Sequence, residues 1–212
     1  MFGASAIYYN KEIFENYYGD NSVLYTSVKD GLWTHEKLMD YCRGVYTDLD
    51  GNSEPNVEDR FGFVYTQWGV PNYLSMSIGT GFITRDSEGL PVLDMNNEIS
   101  VKWVETLNKL LYADNMSFDS TDAKYDMFRT GRALFSITMM SAANGLRDLE
   151  FEYGILPYPK LTENLNYMSG AATANGNGAA IPVSSLSDNY ETSCAVIEAL
   201  CAESYRKVVP AW

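Results

Sequence analysis

Between Ala123 and Lys160 the chain reads AKYDMFRTGRALFSITMMSAANGLRDLEFEYGILPYPK, and this stretch leaves few folds open. An amphipathic segment carrying Tyr125, Met127 and Phe128 stops at Thr130-Gly131, and the apolar run Ala133 to Ile137 follows with no room for a long loop. The spacing predicts a helix, a glycine stop and a buried strand. A short polar helix over about 142–149 then leads to a second apolar run, Tyr153-Gly154-Ile155-Leu156. Pro157 and Pro159 close that run, because proline brings no N–H to a ladder. Helices and strands alternating at this length make an α/β layer whose strand-end loops are free to hold a ligand.

The rest of the chain supplies further elements of the same kind. Ala4 to Tyr9 reads as a strand, and Asn10 can cap a helix with Ile13, Phe14 and Tyr17 on one side. Thr34 caps a second helix bearing Leu38, Tyr41, Cys42 and Val45, with Trp33 placed to pack on Leu38 as a hydrophobic staple. His35, at the first helical position, is expected to face solvent without a serine or cysteine partner. Phe61 to Tyr65 is a strand, and Pro71 suits the first turn of a helix that ends at Gly79. Phe82-Ile83-Thr84 and Pro91-Val92-Leu93 flank a turn and read as a hairpin. Asn96 or Asn97 caps a long helix with Ile99, Trp103, Leu107, Leu110 and Leu111 on one inward stripe. A last helix over about 188–206 turns Val196, Ile197, Leu200 and Cys201 inward.

Composition narrows the function. Fifteen Lys and Arg against 28 Asp and Glu give a net charge of −13, which opposes nucleic acid and anionic lipid and favours a neutral or cationic ligand. With 212 residues and 46% hydrophobic content the chain can bury a core. Cys194 and Cys201 sit on one predicted helix about 10 Å apart, beyond disulfide reach, and with Cys42 they read as small core residues. One histidine excludes a zinc pattern. Asp48-Leu49-Asp50-Gly51 alternates oxygen ligands, but a calcium loop wants Gly at its sixth position and Glu at its twelfth, where Ser53 and Asp59 stand, so it reads as an Asp-Gly turn. The glycines after Ser169 lack the Lys-Ser/Thr ending of a phosphate loop.

Several short motifs, in order, resemble the extracellular solute-binding proteins of ABC importers, the maltose-binding-like sugar group. Phe128 to Phe135 reads F-x-x-G-R-A-L-F and Tyr153 to Lys160 reads Y-G-I-L-P-Y-P-K; Ala6 to Phe14, Trp33 to Leu38, Asp48 to Gly51 and Ala179 to Pro182 match further family segments. The resemblance implies a periplasmic-binding-protein-like (type II) α/β lobe, a mixed sheet with helices on both faces. It makes residues 1–165 the second ligand-binding lobe and 166–212 a hinge crossover toward the first lobe, with Tyr8, Gly170 and Thr173 at the crossovers. It further implies an extracellular, lipid-anchored monomer that takes a neutral solute, a sugar above all, and docks on a membrane permease. No cofactor or metal is implied. No secretion signal opens the chain and both ends look cut, so it is expected to be an internal piece of a longer exported protein.

The candidate binding residues are Gln67, Trp68 and Tyr73, in the loop after one strand, and Met139 and Met140, in the loop after another. Where sugar-binding relatives carry Trp in the second loop, this chain has Thr138-Met139-Met140-Ser141, and a methionine pair also suits a peptide or a lipid-like ligand. Nucleophilic catalysis would need a serine or cysteine beside His35, which the sequence does not suggest. Two readings from other classes stay open: a carboxylate pair acting on glycosides, and a tyrosine-rich surface that binds another protein.

Overall fold

A computed structural model describes residues 4–67, 69–79, 82–121, 126–168, 181 and 189–208. In chain order its strands are β1 (Ser5–Asn10), β2 (Phe61–Tyr65), β3 (Ile83–Arg85), β4 (Pro91–Leu93), β5 (Ser117–Asp119), β6 (Ala133–Met139) and β7 (Tyr153–Leu156). The helices are α1 (Lys11–Tyr18), α2 (Ser22–Lys29), α3 (His35–Cys42), α4 (Val70–Leu74), α5 (Glu98–Tyr112), α6 (Asp126–Arg129) and α7 (Tyr190–Glu203). Two compact units result: Ala4–Ala172, and Thr173–Trp212 with Met1–Gly3.

The larger unit is built on a five-stranded sheet of order β5-β2-β6-β1-β7. β2 runs parallel to β5 and β6, and β1 runs antiparallel to both β6 and β7. Four strands therefore point the same way, and β1 alone is reversed. All six β1 residues are buried, as expected of a strand covered on both faces. Its alternation divides the core: Ile7 and Tyr9 join a large cluster with residues of α1 to α5, while Ala6 and Tyr8 join a smaller one with Met127 and Phe128 of α6 and with Leu146. Helices thus lie on both faces of the sheet, as the resemblance implied.

Local chemistry explains where the elements start. The Asn10 side chain accepts the Ile13 N–H at 3.0 Å, and the Asn97 side chain accepts the Ser100 N–H at 2.9 Å. Thr34 accepts from Lys37 N–H, and Trp33 is fully buried in the cluster that holds Leu38. The Trp33 indole donates to the Pro157 carbonyl at 2.9 Å, which ties α3 to the exit from β7. Gly62 lets α3 approach the sheet, since a Cβ there would stand 2.6 Å from Cys42 backbone atoms. Gly131 ends α6 at φ 71°, where glycine is unstrained, and β6 begins two residues later.

Several expectations are corrected. His35 is buried rather than solvent-facing, 1% exposed, because the first turn of α3 is pressed against the 3-10 turn Ser75–Ile78. The inward stripe of α5 is shorter than expected: Leu110 and Leu111 are buried, Trp103 and Leu107 are half-buried and Ile99 is exposed. The Trp103 indole instead donates to the Leu74 carbonyl at 3.1 Å and meets the Phe82 ring edge-on. The short polar helix expected over about 142–149 is a 3-10 helix that starts earlier, Met140–Leu146.

In the smaller unit α7 buries none of its residues; Val196 and Leu200 are exposed, Ile197 is half-buried and Cys201 is exposed. The inward face expected of this helix, and the core role expected of Cys194 and Cys201, are therefore not met there; Cys42 is buried as expected. No helix among the described residues is long and apolar enough to cross a membrane.

Candidate functional site

Because β2, β5, β6 and β7 share one direction, their carboxyl ends and the start of β1 lie along one edge of the sheet. Strand-end loops at such an edge are where an open α/β sheet places ligands. The structure brings four of the sequence candidates to it. Gln67 follows β2 and is exposed; its N–H donates to the Thr121 hydroxyl at 3.0 Å, joining the loops after β2 and β5. Tyr73, on α4, is half-buried, its ring 6.4 Å from that of Tyr158, which follows β7. Met139 ends β6 half-buried, opposite Ser5 of β1, and Met140 is 47% exposed. Trp68, Gly170 and Thr173 lie outside the described residues.

Tyr8, expected at a crossover, is fully buried in β1, and its hydroxyl donates to the carbonyls of Met139 and Met140 at 3.3 and 3.2 Å. Burial pushes its pKa up to about 12, so it stays a neutral donor. Burial likewise holds the Tyr158 pKa at about 12, so its hydroxyl stays neutral. The candidate methionine loop is thus fixed from below by a strand on which it does not sit. Sequence reading missed the loop after β5: Asp119 takes the Thr121 N–H at 2.9 Å, and the Ser120 hydroxyl donates to the Tyr65 carbonyl at 3.0 Å. A three-residue strand with one aromatic gives no periodic signal, so nothing local marks it.

A cavity of about 260 Å³ opens beside the end of β6. Phe128 and Leu146 give it apolar walls, Ser136, Thr138 and Ser141 bring hydroxyls, and among the described residues Arg129 is the one charged residue of its lining. Met139 also lines it, whereas Gln67, Tyr73 and Met140 do not.

The sequence argued against two chemistries, nucleophilic catalysis at His35 and a calcium loop at Asp48. His35 does have a serine neighbour, contrary to expectation: its Nε2 lies 2.8 Å from the Ser77 hydroxyl. Ser77 is itself 1% exposed and donates to the Leu74 carbonyl, so it accepts from Nε2–H and has no proton for the histidine to take. Burial lowers the His35 pKa to about 4, which keeps the ring neutral. No substrate reaches this pair. At the Asp-Gly turn, carboxylate oxygens of Asp48, Asp50 and Asp59 gather within 4.8 Å of one another. Asp48 accepts from the Gly51 and Ser53 N–H groups, and Asp59 from Leu49 and Asn56, which is the bonding of a self-capped turn.

The family model described as bacterial extracellular solute-binding protein matches residues 2–205. The chain belongs to that family. The family is a non-enzymatic one, which removes the glycoside-acting alternative. A search of curated proteins finds no match.

Among solved structures the chain is similar to a maltose/maltodextrin-binding domain from Bdellovibrio bacteriovorus bound to maltotriose, at 14% identity and a TM-score of 0.56, covering 80% of this chain and 41% of that one. An ABC transporter solute-binding protein from Agrobacterium radiobacter in complex with ribitol matches at 19% identity and a TM-score of 0.50, over 78% and 39% of the two chains. A Mycobacterium tuberculosis protein, UgpB, in complex with glycerophosphocholine matches at 12% identity and a TM-score of 0.50, over 74% and 35%. The chain therefore spans about two fifths of the length of these structures, and at such identities the likeness establishes the fold, a periplasmic-binding-protein lobe.

Proposed function

We propose that this chain is the second lobe of the substrate-binding component of an ABC importer, capturing an extracellular solute as two lobes close around it. The observation that carries the reading is the family match over residues 2–205, together with a sheet whose parallel strands deliver Gln67, Tyr73, Met139 and Met140 to one edge. In this reading Trp68 belongs to the same edge, residues 1–165 form the lobe, and 166–212 form the crossover in which Gly170 and Thr173 act with Tyr8 as hinge. Lobe closure hides the solute and presents a shape to the permease. The whole protein would be a lipid-anchored extracellular monomer.

A sugar or oligosaccharide is the solute we favour, since maltotriose and ribitol occupy two of the similar structures and the half-buried Tyr73 ring and the Met140 thioether suit a sugar's C–H surface. Thermal-shift titration of the longer, two-lobed protein with maltotriose, ribitol and short peptides tests this. A sugar present at a hundred times its dissociation constant should stabilise by about 2.7 kcal/mol, with no release of reducing ends. These 212 residues alone should bind more weakly, because one lobe encloses only one side. A shift with peptides and none with sugars would refute the sugar assignment, and micromolar sugar binding by this chain alone would refute the two-lobe account.

A further inference from the structure

The cavity beside the end of β6 differs from the molecule around it in charge. The chain carries −13 overall, yet among the described residues none of the nine that line the cavity is Asp or Glu, and one, Arg129, is a cation. Arg129 is exposed and makes no salt bridge among the described residues, so its guanidinium is free to meet a ligand. Ser136, Thr138 and Ser141 supply hydroxyls that donate or accept, and Phe128 and Leu146 supply flat apolar surface. At about 260 Å³ the space lies below the range of roughly 300–1,000 Å³ that takes a drug-sized ligand. It suits one sugar ring, not a chain.

We propose that this cavity is a subsite for an acidic sugar, in which Arg129 pairs with the sugar's carboxylate while the serine and threonine hydroxyls meet its ring oxygens. This rests on the solute-binding reading and refines it: a body that is neutral elsewhere would carry its acid group here. A guanidinium matches a carboxylate with two parallel N–H bonds, stronger than neutral hydrogen bonds and tied to that planar geometry. Met139 lines the cavity and Met140 does not, so the two methionine methyl groups report on it separately.

The test is a methyl-NMR titration of this chain with glucuronate and, separately, with glucose. Glucuronate should move the Met139 methyl resonance and bind about tenfold more tightly than glucose. Arg129→Gln should bring that ratio to about one, and Arg129→Lys, which keeps the charge and loses the fork, should fall between. Equal affinities in the wild-type chain, or a preference that survives in R129Q, would overturn the acidic-sugar assignment and leave the solute reading standing. Silence of both methyl groups toward both sugars would overturn the subsite and leave the two-lobe reading standing.

Discussion

Helices α3 and α7 carry apolar residues at comparable spacing and meet opposite environments. α3 buries His35, Leu38, Met39 and Cys42, and its first turn is capped by the Thr34 side chain. α7 is longer, yet buries none of its residues, and Asn189 at its start makes no side-chain cap bond. Helical spacing therefore marks which side of a helix could be covered, and says nothing of whether a surface exists to cover it. For α3 that surface is the sheet, admitted to close range by Gly62.

This contrast can be broken by mutation. Leu38 is fully buried and Leu200 is 66% exposed, so Leu38→Ala should cost about 3 kcal/mol in urea denaturation while Leu200→Ala stays within about 0.5 kcal/mol. Similar costs for the two would mean that α7 is packed in solution.

An effect of comparable size should appear with pH. The folded His35 pKa, about 4, lies below its unfolded value of 6.5, so the unfolded chain binds the proton first as pH falls. The stability contributed by keeping the ring neutral is whole above about pH 6.5 and declines toward pH 4, by about 3 kcal/mol for a completely buried group. Denaturation midpoints at pH 7 and pH 4.5, compared with those of His35→Gln, isolate this contribution; an equal slope in the variant would show that other groups carry it.

The smallest effect sharpens the comparison at the helix starts. Thr34→Ala removes a hydroxyl that accepts the Lys37 N–H and should cost about 1 kcal/mol, whereas Asn189→Ala removes no cap bond and should cost close to nothing. A loss of about 1 kcal/mol in N189A would show that α7 gains its cap in solution.

Most of the larger unit was legible from the sequence because its signals are local. Asn10, Thr34 and Asn97 sit at helix starts and cap them, Gly131 stops α6, and the hairpin pairs Ile83 with Leu93 as its flanking runs suggested. β5 and α2 escaped notice for want of such signals: one has three residues, and the other starts at Asn21 without a side-chain cap bond. The candidate site was partly legible. Strand-end position pointed to Gln67, Tyr73, Met139 and Met140, but the Thr121 contact to Gln67 spans 54 residues, and the cavity joins α6 to the 3-10 helix across β6.

By itself the sequence determined most element types, the α/β class and the family, since each depends on nearest-neighbour periodicity or on short ordered motifs. Tertiary structure alone decided that His35 is buried against Ser77, that Tyr8 holds the methionine loop through its carbonyls, and that a cavity with one arginine and no acid among its described lining residues opens in an acidic chain. Burial and juxtaposition depend on what the rest of the chain brings to the same place, and periodicity along one element carries no record of that.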